Sequence, residues 1–541
     1  MTTSSAIEFL VWTLIAASVI AVIANRLRIP YTVALVIGGL ALGAIHFPII
    51  ETVLTHRPHW LTPDVVLIVF LPPLVFEGSL KMQVWHLRQN LVPILLMANL
   101  GVLAATLITG YAVHWESGIP IMAALAFGAI TAATDPISVL AIFKDMAISK
   151  RLSVIVEGES LFNDGTAAVL FGIIVAGASS GQLSLGAGIR NFFVVVLGGV
   201  AVGLLFGYLV SKITERIDEP QVEITLTTVL AYGSYLAADS LHVSGVIATV
   251  TAGLMIGNFA AKVGMRPHTR VSLWSFWEYA SFVINSIVFL LIGLQVHVGE
   301  MFDAWRTILL AVGAVLLGRM LSVYGLTPVS NLLTEKVPRQ WQHVLVLGGL
   351  RGSLSLALAM SLGLEFPFRS QILAMTFGVV AFTIIVQGLA IKPALRFLGV
   401  AVSKEDEYGR ARVRQIALSA ALGELNDLLS NNLVSPPVYE RLRGEVQDKL
   451  EEVKEEVVDL FTKDERRGEA EFLLAKKRLI AAEKSSIEQA LHEGLISQGT
   501  ATRMIDEADS QLDELMKEEE ELASGREPAP AAKAEEGGKP K

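Results

Sequence analysis

The chain has 541 residues, 52% hydrophobic and 18% charged, with a mean hydropathy of +0.55, too apolar for a soluble protein and too long for one soluble core. It has no cysteine, which excludes disulfides, thiol nucleophiles and thiolate metal sites. Its net charge of −9 comes from one end, because beyond position 400 there are 21 Lys+Arg against 32 Asp+Glu and the rest is slightly basic.

Hydrophobic runs near 20 residues long recur from Ile7 to Leu398. They predict spans near 6–25, 31–50, 63–79, 91–114, 119–143, 152–178, 191–211, 221–239, 243–261, 274–296, 307–331, 341–363 and 370–395, each fit to cross a bilayer as a helix. The expected fold is an all-α polytopic membrane protein of about thirteen transmembrane helices. The first span has no basic n-region and no A-x-A site, so it reads as a retained helix rather than a signal peptide. An odd number of spans puts the ends on opposite sides. One set of loops holds sixteen Lys or Arg and the other four, which places the N-terminus outside and the C-terminus in the cytoplasm.

Two spans are predicted to break. In the fifth (119–143), TAATDPISV sets Pro136 directly after Asp135; proline removes a backbone bond and disfavours helix at the residue before it. In the twelfth (341–363), Gly348, Gly349 and Gly352 surround Arg351. Interrupted helices in corresponding halves point to a transporter's midplane site and to an inverted repeat.

The sixth span (152–178) contains VEGESLFNDGTAAVL, Val156 to Leu170. At about 1.5 Å rise per residue, Asp164 sits roughly 18 Å from the start of the span, near mid-membrane. Intramembrane ionisable residues are functional candidates by default. Helical spacing puts Glu157, Ser160 and Asp164 on one face and Glu159 and Asn163 on the neighbouring one. Burial favours the neutral form of a carboxylate and a bound cation its charged form, so Asp164 can carry either a proton or a metal cation. Thr134 offers a hydroxyl and, where the fifth span breaks, a freed carbonyl, both hard oxygen ligands. Asp135 either balances a helix N-terminus there or joins the site.

Arg319 and Arg351 also lie deep in apolar spans and cannot shed their charge, so each needs a partner. Glu159 is expected to pair with Arg319, with Arg351 near the break at Asp135; the reverse pairing is the alternative. Glu77 ends the third span as a ligand or a mouth carboxylate, and Glu157 is a further acid of the inner mouth. Glu223, Glu278 and Asp239 read as interfacial, and the histidines, His46 and His242 among them, make no metal-ligand spacing. Gly39 with Gly43, and Gly199 with Gly203, read as helix-packing pairs.

After Val402 the composition changes. Val446, Leu450, Val453, Val457 and Leu460 form a short coiled-coil-like stripe, and further helices are expected over 464–492 and 498–522. The expected division is a transmembrane domain over 1–400, a cytosolic helical regulatory or dimerisation domain over 401–524, and a disordered tail over 525–541, rich in Ala, Pro, Glu and Gly. The tail has no nucleotide-binding fingerprint, and no nucleic-acid partner is expected.

TDPISV, EGESLFNDGTAAVLF and GLRGSLSLALA, in this order and on these spans, resemble the monovalent cation–proton antiporters of the NhaP and NHE type over about 6–400. The resemblance implies a homodimer in the bilayer whose core, with two crossing broken helices, moves like an elevator against a dimerisation part. By position it implies Asp164 as the essential carboxylate, Asn163 as its neutral companion, Ser160 and the Thr134 carbonyl as further ligands, and Glu77 as a third-span acid used in some members. Asp135 falls at the crossover and Glu159 in the place of the family's ion-pair acid. An Asn-Asp pair, where electrogenic relatives have Asp-Asp, implies electroneutral exchange. The expectation is a Na⁺/H⁺ antiporter of a bacterial inner membrane, not an enzyme, without a cofactor, carrying Na⁺, Li⁺ or K⁺ against H⁺. Its alternatives are a K⁺/H⁺ antiporter with the same site, a gated cation channel, or a sensor whose tail binds a ligand or protein.

Overall fold

The structure is a computed structural model of the whole chain. It describes residues 3–515 apart from 28, 45–65, 147, 181–184, 215–216, 218, 261–266, 296–303, 364, 401–403, 431–432, 463–464, 493–494, 498, 502, 506, 509–510 and 513–514. The end of the second expected span, His46 and the expected tail 525–541 lie outside the described residues.

Among the described residues all the elements are helical. Those that position the site are α1 (Thr3–Leu27), α2 (Tyr31–Ala44), α3 (Leu71–Lys81), α4 (Leu91–Ser117), α5 (Ile121–Ala132), α6 (Ile137–Asp145), α7 (Lys150–Ser180), α8 (Leu185–Thr214), α9 (Pro220–Ser240), α10 (Gly245–Met255), α11 (Pro267–Gln295), α12 (Trp305–Leu333), α13 (Arg339–Leu347), α14 (Ser353–Met360), α15 (Arg369–Phe382) and α16 (Gly388–Phe397). Among the described residues, seven helical stretches are long and apolar enough to cross a membrane; Val11–Leu27, Tyr31–Gly43 and Gly245–Phe259 are shorter apolar helices.

The interruptions follow from local chemistry. α5 stops at Ala132, where Ala133 turns to extended geometry at φ −61°, ψ 140°, and Pro136 disfavours helix at Asp135. The chain resumes as α6 at Ile137. Residues 348–352 likewise separate α13 from α14. The two interruptions meet, the Asp135 amide donating to the Leu350 carbonyl at 2.8 Å. One break thereby satisfies a backbone group that the other leaves open, as groups out of reach of water must be.

Around them, α5 packs on α4 and α7, and α12 packs on α4 and α15. α2 lies along α11 and α8 along α10. Both seams are close: a Cβ at Gly39 would strike the Leu290 carbonyl, and one at Gly203 the Ala248 carbonyl, the small-residue approach typical of helices in lipid.

By its contacts the chain divides into Met1–Ala401 and Val402–Lys541. The second unit contains α17 (Lys404–Ser430), α18 (Pro436–Thr462) and α19 (Glu465–His492), and the described residues among 499–515 are helical as well. The apolar stripe on α18 buries Val453 and Val457 against Ala411 and Leu418 of α17, so its seam is met by a helix of the same chain. The apolar residues of α17 form no continuous stripe, so the helix has no period to mark it in the sequence.

Candidate functional site

Thr134, in the first break, is held by α7. The Ser160 hydroxyl donates to the Thr134 carbonyl at 2.5 Å, the Asn163 amide donates to the Thr134 hydroxyl at 2.7 Å, and the Thr134 amide donates to Asn163 Oδ1 at 3.3 Å. All three side chains are buried. Spacing had grouped Asn163 with Glu159; here Ser160 and Asn163, three apart and so also neighbours on a helix, close on one residue.

Asp164 follows directly. Among the described residues nothing donates a hydrogen bond to its carboxylate, and the charges acting on it are those of Asp135 and Glu159. A carboxylate without a donor has its oxygens free to take a proton or a cation. Asp135 accepts from the Ile137 amide at 3.0 Å, so it caps the first turn of α6, where an anion suits the helix dipole.

Glu159, one turn before Asn163 on α7, meets Arg319 of α12. Both guanidinium Nη atoms bond to its carboxylate, Nη2 to Oε2 at 2.8 Å, and Arg319 Nε and Nη2 also reach the Leu345 carbonyl. This fork-to-fork arrangement is the strong form of the pair. Arg351 is 1% exposed. Its Nη1 donates to the Gly349 carbonyl at 2.7 Å, while Nε has no hydrogen-bond partner among the described residues. Its amide donates to the Thr383 hydroxyl at 3.1 Å.

Glu77 stands elsewhere. It pairs with Lys81 at 2.7 Å, and Lys81 also reaches Glu278 at 3.5 Å. The charges acting on Glu157 are Glu77 and Lys81. The candidate acids therefore form two groups, one of Asp164, Asp135 and Glu159 and one of Glu157 and Glu77 with Lys81 between charges. Among the described residues no three His, Cys, Asp or Glu gather with metal-holding geometry, so a cation at Asp164 would be met mainly by hydroxyl and carbonyl oxygens.

Sequence reasoning missed several supports. Lys81 stands four residues after Glu77, a spacing that would have given the pair away. Arg151, at the start of α7, bonds Asn90 Oδ1 at 2.9 Å and the Glu335 carbonyl at 2.9 Å. Thr166 donates to Asn99 Oδ1 at 3.1 Å. The Thr32 and Ser138 hydroxyls bond, joining α2 to α6. Single polar residues in apolar spans carry no period, so nothing in the sequence names their partners.

The sequence model of the family described as "Sodium/hydrogen exchanger, transmembrane" matches residues 13–397. The chain is 37% identical over 506 residues to the Na(+)/H(+) antiporter NhaG of Bacillus atrophaeus, covering 91% of this chain and 95% of that one. It is 40% identical over 405 residues to the Na(+)/H(+) antiporter ApNhaP of Aphanothece halophytica, covering 74% and 76%. Its fold matches that of the sodium proton antiporter MjNhaP1 from Methanocaldococcus jannaschii with a TM-score of 0.60 at 23% identity, over 74% of this chain and all of that one. The chain is a multi-pass membrane protein that belongs to the sodium/hydrogen exchanger family, a monovalent cation–proton antiporter of the NhaP type.

Proposed function

We propose that the chain exchanges one Na⁺ for one H⁺, electroneutrally, across a bacterial inner membrane. The observation that carries this reading is Asp164, a carboxylate within a long apolar helix with no donor among the described residues, one residue from the Asn163 that grips Thr134. Protonated, it is neutral; deprotonated, it holds a cation with the Ser160 and Thr134 oxygens. Competition for one carboxylate couples the two ions without a second titrating partner, because Asn163 cannot ionise. The names of the relatives support Na⁺ as the cation.

The same reading takes about thirteen spans in inverted repeats, an outward N-terminus, a cytosolic helical part over 401–524 and a homodimer. The six-helix group of α4 to α7 and α12 to α16 would carry Asp164, its breaks counted within spans, and move against α1–α3 and α8–α11. Arg319 with Glu159, and Arg351, would brace that group. Glu77 and Glu157 would line the inner mouth.

The test is proton flux in sealed proteoliposomes on addition of Na⁺, Li⁺ or K⁺, with and without a valinomycin clamp, for the wild type and Asp164→Asn. We expect Na⁺-driven flux that ignores the clamp and vanishes in the variant. Flux preserved in Asp164→Asn would overturn the role of Asp164. A rate that changes with the clamp would overturn electroneutrality, and a response to K⁺ above that to Na⁺ would reassign the cation.

A further inference from the structure

A cavity of about 490 Å³ lies where the end of α1 and the start of α2 meet the last turns of α6 and one side of α16. No residue of the Asp164 site lines it. Its walls carry Asp145 on α6 and Lys392 and Arg396 on α16. An acid and two bases thus share one cavity, yet among the described residues none of the three makes an ion pair.

The two walls carry opposite charge. Asp145 is the last residue of α6, where the helix's own carbonyls carry partial negative charge, so an acid is unfavourable there unless a cation joins it. Lys392 and Arg396 are four apart on α16, on one face of the helix. The acid wall calls for a cation, while the two bases, though suited to the carbonyl end of α16, offer an anion several donors. Polarity also changes in the same sense on both. Ile142 precedes Asp145 by three residues and Leu389 precedes Lys392 by three, and all four line the cavity. Each charge therefore has an apolar neighbour about one helical turn back. A soluble phosphate would use the two bases and neither the acid nor the apolar residues.

We infer that this cavity holds the headgroup of a zwitterionic phospholipid with a primary ammonium, such as phosphatidylethanolamine. The phosphate lies at Lys392 and Arg396, the ammonium at Asp145 and the carbonyl end of α6, and the glycerol with the first acyl carbons against Ile142 and Leu389. Basic pockets between helices near the membrane surface suit phospholipid headgroups, and Asp145 turns the preference from anionic to zwitterionic. A lipid seated there ties α6, half of the first broken helix, and α16 to the turn between α1 and α2.

The test is native mass spectrometry of the purified full-length protein in detergent, offered equal phosphatidylethanolamine and phosphatidylglycerol, with soluble phosphoethanolamine as competitor. The wild type should retain phosphatidylethanolamine over phosphatidylglycerol. Lys392→Gln with Arg396→Gln should reduce the bound lipid by about tenfold or more, as loss of hydrogen bonds to a charged group implies. Asp145→Asn should shift the preference to phosphatidylglycerol. Equal retention by the wild type and both variants would overturn the site, and a wild-type preference for phosphatidylglycerol would overturn the role of Asp145. Full displacement by phosphoethanolamine would make the ligand soluble and overturn the lipid. If the double variant does not fold, Asp145→Asn decides alone, because that side chain is exposed. Binding is read without transport, so failure here and failure of the Asp164 reading are separate results.

Discussion

The two breaks solve one problem with opposite chemistry. At the first, side chains of α7 close the backbone: Ser160 and Asn163 bond Thr134, and Asp135 caps α6 with a negative charge. At the second, three glycines and an arginine stand in for such side chains, and Arg351 donates back to the Gly349 carbonyl just past the end of α13. An anion sits at a helix start and a cation at a helix end, each where the dipole favours it. The difference is in adaptability. A ring of hydroxyl and amide groups can exchange partners with a cation, whereas a break of glycines and a fixed guanidinium is suited to hold still.

The largest effect should come from testing the two arginines against each other. Glu159→Gln leaves Arg319 buried without its anion and should cost about 3–5 kcal/mol of stability. Arg351 has no carboxylate in an ion pair with it among the described residues, so Arg351→Gln loses one hydrogen bond from a charged group and should cost less, about 1.5–3 kcal/mol. Thermal unfolding in detergent ranks them. If Arg351→Gln proves the more damaging, the guanidinium at the second break is doing more than closing a turn. The double variant Glu159→Gln, Arg319→Gln should recover part of the first loss.

A smaller effect is expected where the breaks touch. A Cβ at Gly352 would lie 2.8 Å from Asp135 Cγ, so Gly352→Ala must push the capping acid away from the Ile137 amide. Overpacking of this kind costs about 1–3 kcal/mol. Gly363, where a Cβ meets nothing within 4 Å, is the control for the same change in backbone freedom. Equal melting temperatures for the two alanine variants would mean that the contact between the breaks yields freely.

What was legible in the sequence were features whose cause is local. Asp135-Pro136 and the Gly-rich run around Arg351 mark interruptions because proline and glycine act on their own backbone. The apolar runs mark helices, and their lengths set them against a bilayer. Partners were harder. Glu159 and Arg319 stand 160 residues apart, and two arginines were equally deep in apolar spans, so only the packing of α12 against the core chooses between them. The contact of Arg351 with Thr383 and of Thr166 with Asn99 left no trace at all, since one hydroxyl in an apolar helix has no pattern. Lys81 and Glu77 are the exception, since a spacing of four on one helix makes their pairing a local feature.

The smallest change divides the first break most finely. Ser160→Ala removes the hydroxyl that donates to the Thr134 carbonyl and should lower stability by about 0.5–1.5 kcal/mol, the net worth of one neutral hydrogen bond. Its effect on transport depends on which of two jobs the hydroxyl has. If Ser160 only braces Thr134, the melting temperature falls while the Na⁺ concentration for half-maximal flux stays where it was, because the carbonyl remains free to meet the ion. If the hydroxyl oxygen is itself a ligand, that concentration rises several-fold, and Ser160→Thr, which keeps an oxygen at the same branch point, restores it. Exchange partners at the first break and fixed ones at the second predict the second outcome: a hydroxyl that can turn from a carbonyl to a cation is what an adaptable site requires.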